Sequence, residues 1–149
     1  MTTLKTGDKA PNFESANEAG QMIKLSDFKG KKLVLFFYPK ASTPGCTAEA
    51  CDLRDHYHQF LSKGYEILGV SADAPKKQLQ FKEKYQLPFS LLADESKEIV
   101  NNYQVWGTKK FMGKTYDGIY RTTFIIDENG VIEKVITDVK TNDHSAQIL

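Results

Sequence analysis

Three apolar runs predict β-strands that are buried inside a sheet. Residues 32–38 read Lys-Leu-Val-Leu-Phe-Phe-Tyr, without the alternation of polar and apolar positions that marks a strand with one face in water. Residues 66–71 (Glu-Ile-Leu-Gly-Val-Ser) predict a second buried strand, and residues 88–92 (Pro-Phe-Ser-Leu-Leu) predict a short third one. Such runs are typical of strands that are covered on both faces.

Helical spacing separates these strands. Residues 46–61 predict one helix, because apolar residues recur in it at spacings of four and three, and Gly64 ends it. Residues 75–85 predict a second helix, which begins with a proline, the residue that fits a first helical turn. Strands and helices therefore alternate in the order βαβαβ.

The remaining segments complete a mixed sheet. Residues 96–103 predict a short helix, residues 121–126 and 131–136 flank the turn sequence Asp-Glu-Asn-Gly of a β-hairpin, and residues 141–149 begin a last helix. Residues 7–25 carry turn signals between short apolar patches and predict an N-terminal hairpin or loop that covers a sheet edge. The order predicts an α/β protein of thioredoxin-like architecture, with helices on both faces of a mixed central sheet.

Composition narrows the class of protein. With 149 residues, we expect a single domain over residues 1–149. The formal charge of +1 and the 26% of charged residues argue against a nucleic-acid partner. No apolar run approaches the roughly 20 residues of a membrane span, and the N-terminal sequence lacks the apolar stretch of a secretory signal. We therefore expect no membrane partner and a cytoplasmic location.

The chain has two cysteines, Cys46 and Cys51, which lie five residues apart where the first strand gives way to a helix. Turn and helix-start residues precede Cys46, so its thiol should lie in the first helical turn. Unpaired backbone N–H groups and the positive end of the helix dipole favour a thiolate there. In a reducing compartment a short structural disulfide is a poor explanation, which leaves catalytic redox chemistry or metal binding.

Zinc binding is the alternative that the residues themselves allow. The cysteines, His56 and His58 would form a Cys2His2 set. At about 100° per residue, however, these four side chains lie near 0°, 140°, 280° and 120° around one helix, and cannot converge on a tetrahedral ion. We therefore predict no metal site, and solvent-facing or half-buried histidines.

The first cysteine closes a motif with the spacing Pro39-x-x-x-Thr43-x-x-Cys46. This motif resembles the active-site motif of the peroxiredoxins, which are thiol peroxidases on a thioredoxin-like fold. Further segments resemble the bacterioferritin-comigratory-protein or peroxiredoxin Q group, from about residue 4 to residue 144. They are Phe37-Tyr38-Pro39-Lys40, Thr43-Pro44-Gly45-Cys46-Thr47, Cys51-Asp52-Leu53-Arg54-Asp55, Phe111-Met112-Gly113-Lys114-Thr115-Tyr116-Asp117-Gly118-Ile119 and Arg121-Thr122-Thr123-Phe124-Ile125-Ile126-Asp127. Relatives usually continue the last helix beyond the position of Leu149.

The resemblance implies a role for each motif residue. Cys46 would be the peroxidatic cysteine and Cys51 the resolving one, with a Cys46 to Cys51 disulfide between them. Arg121 and Thr43 would act on the peroxide. Two supporting residues complete the set that the family implies: Pro39, which would shield the thiolate, and Glu49, which would orient the arginine.

Local sequence alone allows simpler roles for three of these residues. Thr43 fits the N-cap of a helix whose first residue is a proline. Arg121, at the start of a strand, fits a surface ion pair. Glu49, in a first helical turn, fits a carboxylate that compensates the helix dipole.

The function that the resemblance implies is a thiol-dependent peroxidase that reduces hydrogen peroxide and organic hydroperoxides, with thioredoxin as the reductant. It implies no bound cofactor, and an intramolecular disulfide makes a monomer sufficient. Thioredoxin-like disulfide exchange is a second hypothesis, although it normally uses C-x-x-C rather than C-x-x-x-x-C. A redox-sensing or holdase module that uses the same disulfide as a switch is the non-enzymatic alternative.

Overall fold

A five-stranded mixed sheet forms the centre of the protein in the computed structural model, which describes residues 2–149. The helices and strands in chain order are β1 (Glu14–Ala16), β2 (Met22–Lys24), β3 (Lys32–Phe37), α1 (Pro44–Asp55), α2 (Tyr57–Ser62), β4 (Tyr65–Ser71), α3 (Pro75–Tyr85), β5 (Ser90–Ala93), α4 (Glu98–Asn102), β6 (Trp106–Phe111), β7 (Lys114–Ile119), β8 (Thr122–Ile126), β9 (Ile132–Ile136) and α5 (His144–Ile148). A 3-10 turn at Leu25–Phe28 follows β2.

Strand β3 lies in the middle of the sheet, whose order is β5-β4-β3-β8-β9. It pairs in parallel with β4 and antiparallel with β8, so Val34 faces Ile67 on one side and Ile125 on the other. Residues 33–37 are buried, which explains why this strand lacks alternation. The predicted buried strands and the hairpin of β8 and β9 are confirmed.

Two apolar cores lie on opposite faces of this sheet. Val34 and Phe36 point into one core, with side chains from α1, α2 and α3, whereas Leu35 and Phe37 point into the other, with side chains from α4 and the N-terminal segment. Because side chains alternate across a strand, both faces of β3 are apolar and both require cover. The predicted mixed sheet with helices on both faces is confirmed.

The prediction of one helix over residues 46–61 is wrong in one respect. The helix begins at Pro44 and is interrupted at His56, so α1 and α2 are separate. In a regular helix the backbone N–H of His56 would donate to the carbonyl oxygen of Asp52. Here the ring Nδ1 of His56 lies 2.8 Å from that oxygen, and the backbone N–H donates to the carbonyl of Leu53 instead. Ser145 also donates its hydroxyl to the Asp52 carbonyl. The second predicted helix coincides with α3.

Two further hairpins flank the sheet. Strands β1 and β2 form the predicted N-terminal hairpin, and a bridge between Asn17 and Leu92 places it against edge strand β5. The hairpin of β6 and β7 has no counterpart in the sequence prediction. Its turn residues, Met112 and Gly113, both have positive φ, and most of its side chains are exposed. Within residues 2–149, no helix is long and apolar enough to cross a membrane.

Candidate active site

The two cysteines lie in helix α1, and Cys46 occupies its first turn as the sequence predicts. Thr43 is the N-cap residue, with extended backbone angles, and Pro44 is the first helical residue. Cys46 is therefore the third residue of the helix, where backbone N–H groups have no partner within the helix. The residue is only 1% exposed and packs in the apolar core beneath β3.

Arg121 joins Cys46 to Glu49. Its Nη2 atom lies 3.3 Å from the Cys46 sulfur, and its Nη1 atom donates to Oε1 of Glu49 at 2.7 Å. Cys46 and Glu49 are three residues apart on one helix and therefore share a face, while Arg121 approaches that face from the residue before β8. One planar guanidinium thus contacts both the thiol and the carboxylate, which fixes its position with two separate nitrogens.

Burial governs the electrostatics of this cluster. The side chain of Glu49 is fully buried, and burial raises its pKa from 4.5 to about 7, although Arg121 opposes that rise. Burial alone would lower the pKa of Arg121, but the charges and hydrogen bonds of Cys46 and Glu49 together raise it. The guanidinium therefore stays positive at any working pH, and its charge lies next to the sulfur.

Cys51 lies in α1 but faces away from this cluster. Both cysteines are free, and Cys51 is partly exposed. Burial raises the pKa of the Cys51 thiol, with Arg54 opposing the rise and Asp55 adding to it. Because two residues five apart on a helix point about 140° away from each other, the two sulfurs cannot bond while α1 is intact.

Thr43 and Pro39 precede Cys46 in the chain, and neither is among the hydrogen-bond partners of its sulfur within residues 2–149. The hydroxyl of Thr43 donates to the backbone carbonyl of Lys40 at 2.8 Å. Pro39 lines a groove of about 380 Å³ together with Trp106 and residues of β6 and β7. The hairpin of β6 and β7, which no sequence pattern predicts, therefore forms one wall of this groove.

A second buried layer, which no sequence pattern predicts, surrounds Glu49. His144, the first residue of α5, is fully buried, and its Nε2 lies 3.6 Å from Oε2 of Glu49 and 2.8 Å from the hydroxyl of Thr123. The sequence predicts the helix that contains His144 but not the burial of its side chain. A contact between residues 95 positions apart leaves no local pattern. The other two histidines are partly exposed (His56) and exposed (His58), as predicted. Within residues 2–149, no three His, Cys, Asp or Glu side chains are arranged to hold a metal ion.

Comparison with known proteins places this arrangement in a family. Residues 6–135 match the AhpC/TSA family. The chain is 47% identical over 149 residues to peroxiredoxin Bcp of Escherichia coli, an alignment that covers 100% of this chain and 96% of that protein. A crystal structure of a PrxQ mutant from Xylella fastidiosa superposes with a TM-score of 0.93 at 28% identity, over 99% of this chain and 94% of that one. The bacterioferritin comigratory protein of Xanthomonas campestris, described for its alkyl peroxide reduction activity, is 32% identical with a TM-score of 0.85, over 91% and 87%. The thioredoxin-like fold predicted from the sequence is confirmed.

Proposed function

Because this chain belongs to the AhpC/TSA family, and within it to the Bcp and peroxiredoxin Q group, we propose that Cys46 is its peroxidatic cysteine. The protein is a thiol peroxidase, an oxidoreductase that uses a thiol reductant to reduce a peroxide. The observation that carries the proposal is the guanidinium of Arg121, which contacts the Cys46 sulfur and is anchored by the buried Glu49.

In the first step, the Cys46 thiolate attacks one oxygen of the hydroperoxide. The O–O bond breaks, the sulfur becomes a sulfenic acid, and the other oxygen leaves with the electron pair and takes a proton to form water or an alcohol. The thiolate supplies only part of the rate. A thiol with an ordinary pKa near 8.5 is a few per cent ionised at pH 7, so full ionisation gains at most about 30-fold, and the lower nucleophilicity removes most of that gain.

Most of the acceleration must therefore come from donors that face the peroxide oxygens. Arg121 and the backbone N–H of Cys46 are charge-stabilising donors in a site that is largely shielded from water. The hydroxyl of Thr43 already donates to Lys40, so its lone pairs are available to accept the proton of the incoming peroxide. Pro39, which lines the groove against β6 and β7, has the shielding role that the family resemblance implies.

In the second step, the Cys51 thiol attacks the sulfenic acid, which forms the Cys46 to Cys51 disulfide and releases water. Helix α1 must unwind for this step, which also carries the disulfide towards the surface. A dithiol protein of the thioredoxin type then reduces the disulfide by exchange, with Cys51 or Cys46 leaving as a thiolate. Because resolution needs no second subunit, we propose a monomer. A cytoplasmic location and a single domain over residues 1–149 also remain proposals.

A coupled assay tests this function. NADPH consumption with thioredoxin and thioredoxin reductase should depend on the added peroxide and should disappear in Cys46→Ser, because the serine hydroxyl is far too weakly acidic to replace a thiolate. Hydrogen peroxide and an alkyl hydroperoxide are compared, and glutaredoxin with glutathione replaces thioredoxin in a parallel arm. Stoichiometric oxidation without turnover in either arm would favour a redox switch instead, and insulin reduction would favour disulfide exchange.

A further inference from the structure

A buried histidine lies behind the active-site carboxylate. His144 begins α5, yet its side chain is fully buried between three elements. Its Nδ1 lies 2.7 Å from Oε1 of Gln147 on the same helix, and its Nε2 lies 2.8 Å from the hydroxyl of Thr123 on β8. The same Nε2 lies 3.6 Å from Oε2 of Glu49 on α1. The buried imidazole therefore lies between a carboxylate and two neutral groups.

The hydrogen bonds around Gln147 fix where the imidazole carries its proton. The side-chain amide nitrogen of Gln147 donates to the carbonyl of Asp138 at 2.8 Å, and its Oε1 accepts the backbone N–H of Lys140 at 3.0 Å. Oε1 can therefore only accept from His144, so Nδ1 carries the hydrogen in the neutral ring. The atom that gains or loses a proton is Nε2, which faces Glu49.

One oxygen of Glu49 is left without a hydrogen bond. Oε1 accepts from Arg121, whereas Oε2 is buried and has no partner among residues 2–149. A buried carboxylate normally has partners for both oxygens. Oε2 lies 3.6 Å from Nε2, and in the neutral ring the lone pair of Nε2 accepts the hydroxyl hydrogen of Thr123, so Oε2 gains a partner only when the pair holds a further proton. A movement of about 0.5 Å brings the two atoms to hydrogen-bond distance.

We propose that His144 is a positioning residue for the peroxide step. Nε2 of His144 and Oε2 of Glu49 share one proton, which holds the carboxylate so that its Oε1 keeps Arg121 against the Cys46 sulfur. This proposal rests on the proposed function of Cys46. It also gives the buried cluster a balanced charge, because the shared proton and Arg121 offset the carboxylate and a Cys46 thiolate.

The charged groups around the pair are consistent with sharing. Burial lowers the pKa of His144 from 6.5, and the charges of Arg121 and Lys134 lower it further, whereas the hydrogen bond to Gln147 and the charge of Asp52 oppose the fall. Burial and Asp52 raise the pKa of Glu49, and Arg121 opposes them. Because Nε2 of His144 and Oε2 of Glu49 are 3.6 Å apart, we expect the titrations of the two groups to be coupled.

Nuclear magnetic resonance tests the sharing directly. The ring signals of His144 and the carboxyl carbon of Glu49 are followed from pH 5 to 9, with His58 as an exposed reference. We expect the two groups to show common midpoints in the wild-type protein, and Glu49→Gln to lower the His144 midpoint by about 1 pH unit, a tenfold loss of proton affinity. Separate single-site curves, or a His144 midpoint that Glu49→Gln leaves unchanged, would overturn the proposal.

Kinetics separate positioning from a structural role. His144→Gln keeps a polar atom near the position of Nε2 but cannot titrate, and it should slow the oxidation of Cys46 by peroxide about tenfold without slowing reduction of the disulfide. In the Glu49→Gln background, His144→Gln should slow the oxidation of Cys46 little further. The carboxylate through which His144 positions Arg121 is absent from that variant. Independent effects of the two substitutions would overturn the proposal, and His58→Gln serves as the matched control.

These measurements also keep the two proposals apart. If wild-type Cys46 does not react with peroxide, the proposed function fails, and the positioning role in catalysis fails with it. If Cys46 reacts and the double variant shows independent effects, only the role of His144 is refuted.

Discussion

Oxidation to a Cys46 to Cys51 disulfide should unwind helix α1. Both cysteines lie within Pro44–Asp55, where a rise of 1.5 Å and a turn of 100° per residue place their Cα atoms about 8.6 Å apart. Bridged Cα atoms lie about 4.4 to 6.8 Å apart, so the helix between the cysteines cannot persist. The amide of Ser145 donates to Asp52 at 2.7 Å, so unwinding also releases α5 from α1.

The size of the effect follows from the hydrogen bonds that are lost. Unwinding the segment between the cysteines breaks about five backbone hydrogen bonds, each with a net contribution of about 1 kcal/mol. A loss of roughly 5 kcal/mol of local stability corresponds to amide exchange that is faster by about 10³ to 10⁴. The change should be confined to residues 43–55 and 143–149, because β3, β4 and their pairing do not depend on α1 being helical.

Hydrogen exchange with mass spectrometry measures this change. The reduced protein is compared with protein treated with one equivalent of peroxide, after peptide mapping has verified the disulfide. Cys51→Ser is the matched control, since its Cys46 can be oxidised but cannot form the bridge, and its α1 should stay protected. If the disulfide is verified and residues 43–55 stay equally protected from hydrogen exchange, α1 does not unwind and the prediction is wrong.

Three substitutions test the remaining parts of the site. Arg121→Ala should slow oxidation of Cys46 by about 10² to 10³ in stopped-flow experiments and leave disulfide reduction unchanged, because one charge-stabilising donor is lost; equal slowing of both half-reactions would point to a structural defect instead. Gly45→Ala should slow the same step by up to about tenfold, because the new Cβ would lie 3.2 Å from Nη2 of Arg121 and displace it; an unchanged rate would show that the guanidinium position is not limiting. Glu49→Gln tests how the proton on Glu49 affects the stability of the fold. The pKa of Glu49 is raised from 4.5 to about 7, so its proton stabilises the folded state fully below pH 4.5. This contribution disappears as the pH rises through 7. Urea unfolding should therefore find the wild type about 3 kcal/mol less stable relative to this variant at pH 8 than at pH 4.5, and a pH-independent difference would contradict the buried, titrating carboxyl.

The parts of the fold that the sequence predicts are those with a local pattern. Strand β3 is a continuous apolar run because both its faces are buried, and the Asp-Glu-Asn-Gly turn marks the hairpin of β8 and β9. The hairpin of β6 and β7 carries mostly polar, exposed residues, so no apolar period marks it. The break at His56 depends on a side chain that binds the Asp52 carbonyl, which no helical period records.

The same distinction holds at the site. The position of Cys46 in a first helical turn follows from the prolines and the glycine before it, and the structure has it there. The contact of Arg121 with Cys46 and Glu49 joins residues more than 70 positions apart, and only the family resemblance brought Arg121 to notice. The contact of His144 with Glu49 is of the same long-range kind, and no motif quoted for the family includes it.

Trapping of the sulfenic acid identifies the residue that peroxide oxidises. Cys51→Ser is treated with one equivalent of hydrogen peroxide in the presence of a sulfenic-acid reagent, and the labelled peptide is identified by mass spectrometry, with Cys46→Ser treated in parallel. We expect the label on Cys46 in the first variant, and neither label nor peroxidase turnover in the second. Absence of label on Cys46, or turnover that persists in Cys46→Ser, would contradict this expectation.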